Sequence, residues 1–270
     1  MRVRGALLLL AAGMGYAMWD RIVESMIFQP TRGVSITPQQ LGIRAHEVFI
    51  ATEDGVRIHA YYLPAARGDR ALLFLHGNAG NASQRLPNAH ELQQLDCSVL
   101  LLDYRGYGLS EGTASEAGAY ADARAGLREL IEQRGHPERR IVVFGRSLGA
   151  SVAVDLAQRR ALAGLILEGS FPSIADIVAR GPVGALLGAL AGRRFDSRAK
   201  IAQLRAPLLF FHGDRDEVVD RALGLELFAH ASEPKAFETV SGAGHNDVTA
   251  VGGRGYFERI RRFLDEVAPL

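Results

Sequence analysis

The residues of this chain best suited to nucleophilic chemistry centre on Gly145-Arg-Ser147-Leu-Gly149, a G-x-S-x-G pattern. Alone, so short a pattern is weak. Its setting makes it specific: it follows the apolar run Ile141-Val-Val-Phe144 and opens an apolar helical stretch over 148–159. A strand, a sharp turn and a helix are what lift a serine hydroxyl clear of a sheet. On such a turn, side chains two positions either side of the serine would strike backbone, and glycine at 145 and 149 removes the collision. Ala150 and Ala153 then let the helix approach the sheet closely.

A serine hydroxyl is a poor nucleophile until a base takes its proton, so a histidine is needed. Of the eight histidines, His46, His59, His90, His136 and His230 read as surface positions on edges, helices or loops. His76 and His212 each precede a glycine at a strand end and are candidates. His245 lies in Ser241-Gly-Ala-Gly-His-Asn-Asp247, a loop just beyond the last expected strand at 236–240. It alone follows every candidate acid, giving the chain order nucleophile, acid, histidine.

The acid must orient that imidazole from the carboxyl edge of the sheet. Phe211-His-Gly-Asp214-Arg-Asp216-Glu217 offers three carboxylates, and Glu168, ending the preceding strand, is a fourth. Spacing does not separate Asp214 from Asp216. An acyl-transfer site also needs backbone N–H donors for the developing oxyanion. One is expected at Leu148, the residue after the serine, and the other in the loop His76-Gly-Asn78-Ala-Gly80-Asn81, with Asn78 in the donor position.

The elements that must position these groups alternate. Apolar runs at 71–75, 99–102, 141–144, 165–167 and 208–211 are continuous, as in parallel strands buried on both faces. Helical spacing fills 82–95, 116–133, 148–159, 220–230 and 255–267. Strand and helix in turn give an α/β domain with a mostly parallel sheet and helices on both faces. Ahead of it, 46–50 and 56–63 flank Thr52-Glu-Asp-Gly55 as an antiparallel hairpin, and the polar stretch 32–45 reads as a linker. One segment breaks the rhythm: about 171–196, containing the apolar, glycine-rich run 181–192, is too long for an ordinary connection. It reads as a small cap over the site, the plainer alternative being a helix packed on the sheet edge.

The 270 residues, 48% hydrophobic and 23% charged, suit one large folded domain. A net charge of +1 without basic blocks gives no sign of nucleic-acid binding. A single cysteine, Cys97, excludes an internal disulfide and a cysteine-built zinc site, and no metal or cofactor is implied.

The first thirty residues stand apart. Arg2 and Arg4 precede an apolar run over 5–19, which as a helix spans roughly 22 Å against a hydrocarbon core of roughly 30 Å. A retained single-pass membrane anchor extending past Asp20 is the expectation, with a cleaved signal peptide and secretion, or a buried helix, as alternatives. The basic head would hold the N-terminus in the cytoplasm and place the rest across the membrane.

Together, Ile27-Phe-Gln-Pro30, Leu75-His-Gly-Asn-Ala-Gly-Asn81, Asp103-Tyr-Arg-Gly-Tyr-Gly108, the serine motif, Phe211-His-Gly-Asp-Arg-Asp-Glu217 and Gly244-His-Asn-Asp247 resemble the alpha/beta-hydrolase superfamily. The resemblance is to its membrane-anchored abhydrolase-domain serine hydrolases, related to depalmitoylases and S9-type peptidase relatives, and covers about 28–264. It implies the alpha/beta-hydrolase fold, a catalytic triad of Ser147, Asp216 and His245, and oxyanion donors at Asn78 and Leu148. It also implies structural roles for Asp103 and Arg105. The N-terminal cysteine cluster of eukaryotic depalmitoylases is absent here. The expected activity is hydrolysis of carboxylic esters or thioesters of acyl substrates near a membrane. A peptidase or amidase, and a non-catalytic binding protein on the same fold, are the rivals.

Overall fold

The computed structural model describes residues 23–180 and 192–270. Within them one sheet has the strand order β1-β2-β4-β3-β5-β6-β7-β8. The strands are β1 His46–Ala51, β2 Arg57–Leu63, β3 Ala71–Leu75, β4 Ser98–Leu102, β5 Ile141–Arg146, β6 Gly164–Glu168, β7 Leu208–Gly213 and β8 Lys235–Val240. β1 and β2 pair antiparallel, β2 also pairs antiparallel with β4, and every other neighbour is parallel. This is the mostly parallel α/β sheet expected from the alternation of runs, and the alpha/beta-hydrolase architecture that the resemblance implied.

The helices are α1 Leu86–Gln93, α2 Glu116–Arg128, α3 Leu148–Ala157, α4 Ile174–Ala179, α5 Arg198–Ile201, α6 Arg221–His230 and α7 Val248–Val267. They cover both faces, which is why the inner strands carry no polar alternation. Leu73 and Leu75 join one apolar cluster and Leu72 and Phe74 the other, as the two-residue period of a strand requires.

Three local expectations are corrected. The polar stretch expected to be a linker begins as a strap tied to two loops. Thr31 donates its N–H to Gly80 O (3.2 Å), Gly33 to Gly108 O (3.0 Å), and the Arg32 guanidinium to Ser110 O and Gly112 O. Its bonds run to loops, so it carries no strand period. His59 and His136, expected at the surface, are buried. His59 stands on β2 between its neighbours β1 and β4, and its Nδ1 lies 3.0 Å from Asp103 Oδ2. His136 Nδ1 donates to Asp69 O, leaving Nε2 to accept from the Tyr62 hydroxyl. The last helix starts at Val248 instead of 255, because Gly253 takes φ 49° and joins two helical pieces across a kink.

The apolar run 5–19 lies outside the described residues, and among the described residues no helix is long and apolar enough to cross a membrane. Residues 181–191 of the expected cap also lie outside them. What is described of that insertion packs inward: the Phe195 ring stands edge-on to Phe28 at 5.9 Å and to Tyr120 at 5.8 Å.

Candidate active site

Ser147 sits between β5 and α3 with φ 53°, ψ −118°, a strained backbone for any residue but glycine. Its N–H donates to Glu168 O on the neighbouring strand (2.7 Å), which holds the bend in place. A Cβ on Gly145 would overlap the carbonyl of Gly149, and one on Gly149 would overlap that of Leu75. The two motif glycines are therefore required by backbone contact, and the half-buried hydroxyl of Ser147 opens into a cavity.

His245 arrives from the loop between β8 and α7. Its Nε2 is 2.9 Å from Ser147 Oγ and its Nδ1 is 2.8 Å from Asp216 Oδ2. An ionised carboxylate only accepts, so Nδ1 carries the proton and Nε2 presents a lone pair to the serine hydroxyl. That is the tautomer a general base needs. Arg146 braces the loop by donating from Nη2 to His245 O (3.1 Å).

Asp216 is fixed from both oxygens. Oδ1 accepts the N–H groups of Val218 (3.0 Å) and Val219 (2.7 Å), while Oδ2 faces His245 and, at 3.2 Å, Nε2 of His212. Burial pushes its carboxyl up, but the hydrogen bonds from His212 and His245 outweigh it and hold the group well below the usual carboxylate range. The other acids are engaged elsewhere. Asp214 is exposed and accepts from Gly242 N and Ser241 Oγ. Glu168 pairs with Arg146 at 3.0 Å and accepts from the Tyr256 hydroxyl. His76 points to Asp103 and its own loop.

Leu148 is the first residue of α3, so its N–H has no helical partner one turn earlier. A Cβ on Gly77 would meet Ser147 Cβ at 3.4 Å, which brings the Asn78 loop against Ser147. Asn78, Leu148, Ser147 and His245 line one cavity of about 580 Å³. The Asn78 side chain is occupied: Oδ1 accepts from Gln29 N (2.9 Å) and the Tyr107 hydroxyl (3.1 Å), and Nδ2 donates to Ile27 O. Its backbone N–H is the part left for a ligand. Asp103 accepts from Ala82 N and Arg105 binds Asp54 and Asp122, so both brace turns.

Several cavity residues escaped sequence reasoning. Val23, Met26, Ile27 and Gln29 line it from the N-terminal segment, and Ile174, Ile177 and Val178 from α4. The apolar run Ile27-Phe28 was a visible signal for the first set, but nothing marked Arg85 and no role was read for Arg146. His212, weighed as a candidate base, instead faces Asp216 at 3.2 Å. Among the described residues no group of three or more histidine, cysteine or acidic side chains could hold a metal ion.

A family model described as serine aminopeptidase, S33, matches residues 66–200. An uncharacterized protein of Mycobacterium tuberculosis is 39% identical over 264 residues, covering 97% of this chain and 94% of its own. The alpha/beta hydrolase domain-containing protein WAV2 of Arabidopsis thaliana is 33% identical over 94% of this chain and 91% of its own. Among solved structures, the esterase Pf2001 of Pyrococcus furiosus superposes with a TM-score of 0.74 at 21% identity, covering 90% of this chain and 98% of that one. At that identity the likeness is one of fold.

Proposed function

The chain belongs to the alpha/beta-hydrolase superfamily, among its abhydrolase-domain proteins, and from that premise we propose that it is a serine hydrolase cleaving carboxylic esters or thioesters through an acyl-enzyme. The observation that carries this reading is the continuous hydrogen-bonded line Ser147 Oγ, His245 Nε2, His245 Nδ1, Asp216 Oδ2, with links of 2.9 and 2.8 Å.

The serine oxygen attacks the acyl carbon while its proton passes to His245 Nε2. Negative charge gathers on the former carbonyl oxygen, where the N–H groups of Leu148 and Asn78 receive it. The bond to the leaving oxygen or sulfur breaks, and the leaving group takes the proton from Nε2. Water then repeats the sequence on the acyl-enzyme, giving the free acid and Ser147. Asp216 stays ionised throughout and holds the imidazole in its working tautomer.

Acyl or lipid-like substrates suit the cavity. Val23, Met26, Ile27, Phe171, Ile174 and Ile177 give it an apolar wall, sufficient for an alkyl chain. The first three come a few residues after the apolar run 5–19, beyond Asp20 and Arg21. As a membrane anchor, that run would set the cavity mouth beside lipid. An aminopeptidase reading fits less well, since a free α-amine calls for a carboxylate, and none is among the described lining residues.

The direct test is labelling by a fluorophosphonate probe, with the adduct mapped to Ser147, beside a series of acyl esters of increasing chain length. Labelling at Ser147 and a rise of kcat/KM with chain length support the reading. An unlabelled, folded protein overturns it. Retention in the membrane fraction after a carbonate wash tests the anchor separately.

A further inference from the structure

Arg85 is a cation in the catalytic cavity that the reaction above leaves unused. It ends the short 3-10 turn Ala82–Arg85, just after the oxyanion loop. Its side chain makes one hydrogen bond among the described residues, from Nη2 to Ala79 O at 3.1 Å, and its Nε is buried with no partner. Arg146, lining the same cavity, has its charge matched by Glu168 at 3.0 Å. Arg85 has no carboxylate at ion-pair distance among the described residues. Burial and the charge of Arg146 pull its guanidinium below the ordinary arginine value, against a smaller opposing pull from Glu168. A guanidinium still stays protonated at neutral pH.

Burying a charged donor without an acceptor is unfavourable, and a cavity ligand bearing negative charge removes that cost. The described lining holds Arg85 and Arg146 and no aspartate or glutamate; Glu168, outside the lining, is already paired with Arg146. The apolar wall comes from other segments: 23–27, 171–178 and 218–219. One part of the cavity thus suits a hydrocarbon chain and another a compact anion. A guanidinium fork matches phosphate oxygens in pairs.

Building on the serine-hydrolase reading, we infer that Arg85, with Arg146 beside it, forms an anion subsite for a phosphate carried on the alcohol or thiol portion of the acyl substrate. Water adds across the acyl–oxygen or acyl–sulfur bond, releasing a fatty acid and a phosphate-bearing alcohol or thiol. The phosphate itself does not react.

Two matched pairs test this. Hexanoyl glycerol phosphate is compared with hexanoyl glycerol, and hexanoyl coenzyme A with the neutral hexanoyl thioester of N-acetylcysteamine. The quantity read is the ratio of kcat/KM within each pair. In the wild type at least one ratio favours the phosphate-bearing substrate by about tenfold or more, the worth of one charge-assisted contact. Arg85→Gln removes that preference through KM, and Arg85→Lys keeps part of it. Which pair gives the larger ratio separates a lipid headgroup from a coenzyme as the source of phosphate.

An Arg85→Gln loss shared equally within both pairs leaves the ratios unchanged and overturns the subsite; Arg85 then only holds the loop through Ala79. Affinities of the same compounds for a Ser147→Ala protein, measured by calorimetry, keep the question independent of turnover. Equal affinity within both pairs overturns the subsite. Absence of wild-type turnover and of fluorophosphonate labelling, with preferential phosphate binding intact, sinks the hydrolase reading alone.

Discussion

His212 Nε2 stands 3.2 Å from Asp216 Oδ2, the oxygen that also faces His245. The same nitrogen lies 2.8 Å from Val219 O, so it meets acceptors only and carries the proton. His212 ends a buried strand and cannot move far, which pins the acid in the plane His245 needs. Replacing it by Phe keeps an aromatic ring and removes the donor. We expect kcat to fall about tenfold with KM little changed, the cost of one hydrogen bond to a charged group. Steady-state kinetics on a short acyl ester check this. Unchanged kcat would mean that the two Val N–H bonds suffice to hold Asp216.

Ser147→Ala should leave the fold intact, because alanine fits the space and the bend is held by the backbone bond to Glu168 O. Ester turnover should drop by roughly a millionfold, as for lesions of a nucleophile acting within a triad. Circular dichroism and burst kinetics together distinguish this from unfolding.

Asp216→Asn keeps the shape and forfeits the charge, leaving the imidazole free to adopt the wrong tautomer. A fall in kcat of about ten-thousandfold is expected. The same variant reports pH dependence. The folded carboxyl of Asp216 lies below its unfolded value of about 3.9, so its stabilising contribution is complete above that value and is lost as pH falls through the folded one. The stability difference between wild type and variant, from urea unfolding, should stay level between about pH 8 and about pH 5 and shrink below about pH 4. A difference that shrinks with rising pH would contradict the assignment.

Gly149→Ala places a methyl against the carbonyls of Leu75 and His76. Backbone on both sides prevents relief by rotamer change. Destabilisation of about 1–3 kcal/mol is expected, with activity lost beyond what stability explains because Leu148 N–H shifts with the helix start. Thermal melting read beside kcat in the surviving folded fraction checks both parts.

Cys97 is fully buried, and burial pushes its thiol up to about 12. The native protein should resist thiol reagents at neutral pH and react only after denaturation. Rapid labelling of folded protein would show that the strand-edge region around Leu95 and Ser98 opens far more readily than its packing indicates.

The serine, the histidine and the parallel core were legible because each is written locally. The continuous apolar run Ile141–Phe144, short and closed by a glycine turn, suits a strand buried on both sides, and glycines at 145 and 149 answer a collision set by the bend itself. His245 followed from chain order. Asp103 and Arg105 do brace turns, as the resemblance implied. His59 was misread because its burial depends on Asp103 and Ser110, more than forty residues away, packing against it, contacts that leave no mark at position 59.

Spacing could not choose between Asp214 and Asp216, two residues apart after the same strand. Tertiary structure makes them different: the turn after β8 offers Gly242 N–H to Asp214, while the loop beyond it carries His245 to Asp216. The bonds of the strap at 27–33 were likewise invisible, because their partners lie some fifty residues or more away, in the loops at 78–81 and 108–112. Sequence by itself determined which strands and turns form, since sterics and burial act between near neighbours. Only the folded chain decided which carboxylate meets the imidazole and what lines the cavity, because the direction of a side chain leaving a loop is set by whatever distant backbone packs against it.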